Sequence, residues 1–218
     1  MPQPPTGDLQ HQLKQNRLWY DTGGAEGSEA YLAFETHVGV DFTAAVLVSA
    51  TLQEANLTQC ALDDALLIDA LANGLIARQC TLDRLNASSA ELVEADFSDS
   101  RGRHAIFRKA RLSRARFDRA LLPEADFRGA VCLSASLCQA DLRNADFSNA
   151  LLAGADLSFA RLDQANLNGA CLSRRTRLRD AQGLDSVDAM FLFLDDERIE
   201  GPSVAHLLRQ LTQSSSVT

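Results

Sequence analysis

From Ala30 to Arg174 the apolar positions of the chain return every fifth residue. The stretch ADLRNADFSNALLAGADLSFARLDQANLNGA, residues 140–170, has alanine at each fifth place and Leu or Phe two places later. A helix repeats near 3.6 residues and a strand near 2, so a strict five fits neither. With the large residue of each five taken as its centre, centres fall on every number ending in 2 or 7 from Leu32 to Leu172, giving 29 pentapeptides. From Ala105 to Ala170 the position two before the centre is alanine 14 times in succession. Self-similarity at a fixed period predicts a solenoid.

Alternation as in a short strand sends the centre and the residue two before it inward, and the centre's two neighbours outward. The fifth residue turns a corner, which accounts for Gly129, Gly154 and Gly169 at that place. Four such sides predict a square coil of 20 residues, in which a large Leu or Phe beside a small Ala fills each layer. At Leu75/Ala77 and Leu85/Ala87 the two sizes are exchanged, which keeps the volume. Phe107, Phe127 and Phe147, 20 residues apart, should stack as one internal column, while Ser100 and Gly102 leave a thin layer between Phe97 and Phe107. Glu35 and His37 at inward places predict that regular coiling begins near Val40.

The pentapeptides ADLRN, ADFSN, ADLSF and ANLNG match the pattern A(D/N)LXX, and the chain resembles the pentapeptide-repeat family over about two thirds of its length. The resemblance implies an all-β solenoid, a right-handed quadrilateral parallel β-helix of about seven coils. At roughly 4.8 Å per coil the rod would be on the order of 34 Å long.

Open coil ends expose unpaired strand edges, so caps are expected at both. Residues 1–29 read as a helix and linker, with Thr6 as the cap of a helix running to about Trp19 and Leu9, Leu13 and Leu18 on one face. The repeat occupies 30–174. Residues 175–211 read as a strand-and-helix cap: the register is left at Arg177, AMFLFL forms a final strand, and Pro202 opens a helix with Val204, Leu207, Leu208 and Leu211 along one side. Residues 212–218 read as a disordered tail.

Composition narrows the function classes. A net charge of -8 disfavours general nucleic-acid binding, which positive charge drives. No run of 18 apolar residues suggests a membrane span, and the first residues carry no apolar export segment, so a cytoplasmic protein is expected. Five cysteines without metal-ligand spacing, four scattered histidines and no catalytic motif point to a protein that is not an enzyme, with no cofactor and no metal. Cys60 and Cys80 share an inward column and read as small buried thiols, as does Cys132.

Surface features remain. Asp83, Glu91, Glu94, Asp96 and Asp99 lie 20 residues before Arg103, Arg111, Arg114, Arg116 and Arg119, which favours a belt of ion pairs between coils over a nucleic-acid site. Val46, Val48, Leu66, Ile68, Leu71 and Ile76 occupy outward places and form a candidate protein-binding patch, covered either by a partner or by the N-terminal helix. Met190, Phe191, Phe193, Leu207, Leu208 and Leu211 are candidates for a homodimer joined through the C-terminal segment. The expected function is therefore a non-catalytic interaction module, a scaffold or adaptor for another protein. The alternative comes from resemblance to the quinolone-resistance pentapeptide proteins, which implies a DNA mimic that binds DNA gyrase or topoisomerase IV. This chain shares their length, their acidity and a GLD stretch at Gly183 followed by strand and helix. It departs in its N-terminal helix, its unbroken register and its acids matched by arginines.

Overall fold

The computed structural model describes residues 8–213; the Thr6 cap and the end of the tail lie outside them. Parallel bridges join each bridging residue to the one 20 further on, in four columns that start at Tyr31, Thr36, Asp41 and Val46. These columns define four faces, numbered one to four in that order.

The pentapeptide from Ala145 to Asn149 shows why five residues make one side. Asp146 N–H donates back to the Ala125 carbonyl, 2.9 Å, while the N–H groups of Phe147 and Asn149 donate forward to Asn166 and Asn168, 2.8 and 2.9 Å. Ala150 N–H closes a turn onto the Phe147 carbonyl, 2.9 Å. Only the Ser148 N–H lacks a main-chain acceptor, and the Asp146 carboxylate takes it at 2.9 Å. This accounting explains the Asp or Asn before the centre, because a buried or half-buried amide needs a partner. The same bond recurs at Asn56, Asn86, Asp96, Asp126, Asp156 and Asn166. The corner residue has positive φ at glycines and non-glycines alike, 58° at Asn149 and 65° at Gly129. Such a φ at the third position is the mark of a type II turn.

The interior is a close-packed stack of Leu, Phe and Ala. Phe107, Phe127 and Phe147 form the expected column, with ring centroids 5.1 and 4.7 Å apart and planes within 13° of parallel. A second column, Phe97 on Phe117 at 5.1 Å, meets the first edge-on. At Gly102 the main chain approaches Leu82 so closely that a Cβ would sit 2.6 Å from its carbonyl oxygen. The ladder begins at Tyr31 rather than near Val40, because Glu35 and His37 bond each other at 2.7 Å and so fit the first coil.

Helix α1, Leu9–Asp21, is capped by the Asp8 side chain, which accepts from His11 N–H at 2.8 Å. It lies across the start of the coil with Gln12 and Asn16, one turn apart, buried beneath it. Gln12 Oε1 accepts from Tyr31 N–H at 2.8 Å, and Asn16 Nδ2 donates to the Val48 carbonyl at 3.1 Å. Those edge groups face where a preceding coil would lie, and the two amides replace its bonds. Gly27 lets the linker cross α1: a Cβ there would stand 2.3 Å from the Gln15 carbonyl oxygen.

At the other end the spacing stretches. Asp156 bridges Arg177, 21 residues on, and Asn166 bridges Asp188, 22 on. The first extra residue is absorbed by buried Thr176, whose hydroxyl donates to the Leu152 carbonyl at 2.9 Å and accepts from Ser173 N–H at 3.0 Å. Residues beyond 174 thus continue the coil out of step. Strand β1, Cys171–Leu172, pairs in parallel with β2, Phe191–Leu194, which pairs antiparallel with β3, Glu197–Glu200. Strand β2 is therefore not the last strand, and β3 went unread because ERIE has no apolar run. Helix α2, Pro202–Gln213, buries Val204, Leu207, Leu208 and Leu211 and runs two residues past the expected end.

Candidate interaction surfaces

Among the described residues the buried cysteines are unreactive. Cys60 and Cys80 are free thiols that donate to the carbonyls of His37 and Leu57, 2.7 and 3.0 Å away. Burial pushes the Cys80 thiol up to about 12 and raises that of Cys132 to a similar value, so both stay protonated and inert. Among the described residues no group of three His, Cys, Asp or Glu side chains could hold a metal ion, and no helix is long and apolar enough to cross a membrane.

The six outward apolar residues do not form one patch. Val46, Val48, Leu66 and Ile68 share face four, Leu71 lies on face one and Ile76 on face two. Val46 and Val48 are 2% and 7% exposed, at the edge where Asn16 and Arg17 of α1 bond the Val48 and Ala44 carbonyls. These two are therefore part of the molecule's own packing and not free for a partner. Leu66 and Ile68 are half-buried, and Leu71 and Ile76 are exposed. What stays accessible is a band around three faces of one coil, residues 66–76.

The charge belt exists with different partners. Arg111 pairs with Glu91, Arg114 with Glu94 and Arg119 with Asp99, at 3.1, 2.6 and 2.7 Å, each across one coil as expected. Arg116 turns instead to Asp118 on its own side, 3.0 Å, and Arg103 to Glu124. Asp83 accepts the Arg103 main-chain N–H at 2.7 Å. Arg108 reaches forward to Asp126, 2.7 Å, where Arg128 also binds at 2.7 Å. Burial opposes ionisation of Asp126, yet the hydrogen bonds from Arg128 and Arg108 outweigh it and hold the carboxyl down at about 2.

A family model described as pentapeptide repeats matches residues 28–64, 105–144 and 140–180, with eight copies, which together span over half of the chain. The chain belongs to the pentapeptide-repeat family. A trypsin-treated form of QnrB1, a plasmid-mediated fluoroquinolone resistance protein, is similar in fold: TM-score 0.55, 18% identity, 81% of this chain and 95% of that one. HetL, a pentapeptide-repeat protein involved in heterocyst differentiation regulation in the cyanobacterium Nostoc, aligns at 23% identity over 80% of this chain and 94% of its own, with a TM-score of 0.39. No curated protein sequence matches the chain. At these identities the QnrB1 likeness speaks for fold alone, the quadrilateral β-helix of the pentapeptide-repeat family.

Two further pieces of this pentapeptide-repeat chain differ from expectation. The dimer candidates Leu207, Leu208 and Leu211 point inward, and α2 packs on β3 and on the 3-10 turn Leu184–Ser186. The edge of β2 expected to be open is paired with β3, whose Glu197, Arg198 and Glu200 place charges on the last edge. Of that set Met190 stands out, 73% exposed, while Phe191 and Phe193 are half-buried and the Arg198 guanidinium lies 4.4 Å from the Phe191 ring centre. The second difference is an apolar panel on face one. Val131, Leu133, Leu151 and Ala153 stand side by side in two successive coils. The signal available in the sequence was an apolar residue on both sides of two centres 20 apart, Cys132 and Leu152.

Proposed function

We propose that the protein is a non-catalytic adaptor of the cytoplasm, a rod of about seven coils capped by helices that binds another protein through its side faces. The observation that carries this reading is the accessible band of half-buried Leu66 and Ile68 with exposed Leu71 and Ile76, on a fold whose Cys80 and Cys132 thiols are buried and protonated. Affinity capture with the wild type and with Leu71→Asp/Ile76→Asp tests it. A partner held by the wild type and lost by a folded double variant supports the band; equal capture by both removes it.

Gyrase protection is the second reading, favoured by acidity and by the fold shared with QnrB1. The arginines that neutralise Glu91, Glu94 and Asp99 weigh against it, since steering onto a DNA-binding groove needs free negative charge. A supercoiling assay with a fluoroquinolone decides: rescue of gyrase at micromolar protein would establish it, and no rescue would leave the adaptor. Exposed Met190 beside Phe191 supports end-to-end pairing of two copies, which light scattering of the full chain tests.

A further inference from the structure

Asparagine is followed by glycine at two places in the chain, Asn73–Gly74 and Asn168–Gly169. Such a pair carries a chemistry of its own. The glycine main-chain nitrogen attacks the asparagine side-chain carbon Cγ, a C–N bond forms in a cyclic imide, and the side-chain nitrogen leaves as ammonia together with the glycine N–H proton. Water then splits one of the two bonds of the imide nitrogen. Breaking the new bond leaves aspartate; breaking the original peptide bond leaves isoaspartate. Glycine favours the attack because no side chain crowds its backbone.

The fold restrains both pairs in the same way. Asn73 Oδ1 accepts from Val93 N–H at 2.9 Å, and Gly74 N–H donates to the Val93 carbonyl at 2.8 Å. Asn168 Oδ1 accepts from Met190 N–H at 2.6 Å, and Gly169 N–H donates to the Phe191 carbonyl at 2.9 Å. In each pair the attacking nitrogen and the amide under attack are both tied to the following layer. The reaction waits until that layer lets go.

The two locks differ in what stands behind them. Val93 lies within the rod, and its neighbours Glu91 and Glu94 are paired to Arg111 and Arg114 of the coil beyond. Freeing it means parting two coils inside the stack. Met190 and Phe191 belong to the last layer, which only β3 and α2 follow. Met190 is exposed and the half-buried Phe191 ring covers Gly169, 3.5 Å from where a Cβ would stand. A terminal unit of a repeat stack has a neighbour on one side only, so it opens at lower free energy than an internal one.

We propose that Asn168–Gly169 is a site of spontaneous deamidation gated by opening of the C-terminal cap, while Asn73–Gly74 stays locked. The product keeps a record of the opening. In isoaspartate the main chain runs through Cβ and Cγ and is one atom longer, so Gly169 N–H no longer falls opposite the Phe191 carbonyl. The side-chain oxygen that took the Met190 N–H is displaced as well. The cap then fails to reseat over this corner. The site is separate from the 66–76 band and from the charge belt, and it goes beyond the adaptor reading.

The test incubates the full chain at mildly alkaline pH and follows both asparagines by peptide mass mapping. Asn168 should convert at least about 10-fold faster than Asn73, the ratio that a 1.4 kcal/mol lower opening free energy gives. In denaturing urea, where both locks are gone, the two should convert at similar rates. Leu208→Ala thins the packing of α2 and should speed Asn168 while leaving Asn73 unchanged. Asn168→Gln would have to close a larger ring and should stay unconverted. During incubation the wild type should lose protease resistance in the cap, and Asn168→Gln should show no such change. Equal rates in the folded protein, conversion of neither asparagine, or the same preference for Asn168 in urea overturns the proposal. So does a rate at Asn168 that Leu208→Ala leaves unmoved, or an aged wild type whose cap resists protease as well as at the start.

Discussion

Asn16 of α1 donates its side-chain amide to the main-chain carbonyl of Val48, 3.1 Å away and 32 residues further along the chain. Asn16→Leu keeps the volume and removes the donor, leaving the Val48 carbonyl at the coil's first edge without its partner. A loss of about 1–3 kcal/mol is expected. Urea denaturation reads it, and an unmoved midpoint would mean that the edge does not depend on the helix.

The stacked phenylalanines predict a cost that depends on position in the column. Phe127 touches rings on three sides, with neighbours at 4.7, 5.1 and 5.7 Å, and is fully buried. Phe127→Ala should cost about 3–5 kcal/mol, and Phe127→Leu clearly less. Chemical denaturation of both variants checks the order.

Gly102 predicts intolerance of a single methyl. Its Cβ would meet the Leu82 Cβ at 2.5 Å and the carbonyl oxygen at 2.6 Å, a main-chain contact that cannot swing away. Gly102→Ala should lose about 1–3 kcal/mol. Unchanged thermal stability would show that the two layers can part at no cost.

Asp126 predicts a pH dependence. Its carboxyl titrates near 2 in the folded protein, below the unfolded value of about 3.9, so the stabilisation is complete above about pH 5 and lost as the pH falls through 2. Asp126→Asn keeps one acceptor oxygen for the Arg128 N–H and removes the charge together with the second oxygen, which accepts from Arg108 and Arg128. At pH 7 it should be less stable than the wild type by about 2 kcal/mol, and the gap should close by pH 2. A gap that persists in acid would assign the loss to packing instead.

Arg119 and Arg101 predict contrasting salt effects. Arg119 holds Asp99 with two bonds, 2.7 and 2.8 Å, whereas Arg101 makes no ion pair among the described residues. Arg119→Gln should cost about 0.2–1 kcal/mol at low salt and less in 1 M salt. Arg101→Gln should cost nothing at either, and thermal melts at two salt concentrations separate the cases.

The inward residues and the aromatic column were legible because a five-residue period assigns every side chain a direction. Surface neighbours were not. Residues ten apart in sequence, such as Leu66 and Ile76, sit on opposite faces, so a run that looks like a patch is scattered around the rod. Charged partners were legible only where the side chain leans along the ladder, as at Arg119. Arg116 prefers Asp118 two places on, and Arg108 leans the other way. The packing of α1 was hidden for another reason. Gln12 and Asn16 face inward because the coil edge they meet is polar main chain, which inverts the usual rule that a helix buries its apolar stripe.

The constant spacing of the ladder has a consequence for how the molecule is made. Until the last stretched turns, each residue needs a partner only 20 positions away, so a layer can close as soon as the next 20 residues leave the ribosome. Helix α1 is synthesised before the coil and meets the first layer as it forms. The rod can therefore lengthen in the order of translation, each finished layer serving as template for the one that follows. The two inserted residues after Leu172 change the spacing, yet the ladder runs on to Phe193, and growth ends where β3 turns back on β2 in antiparallel pairing.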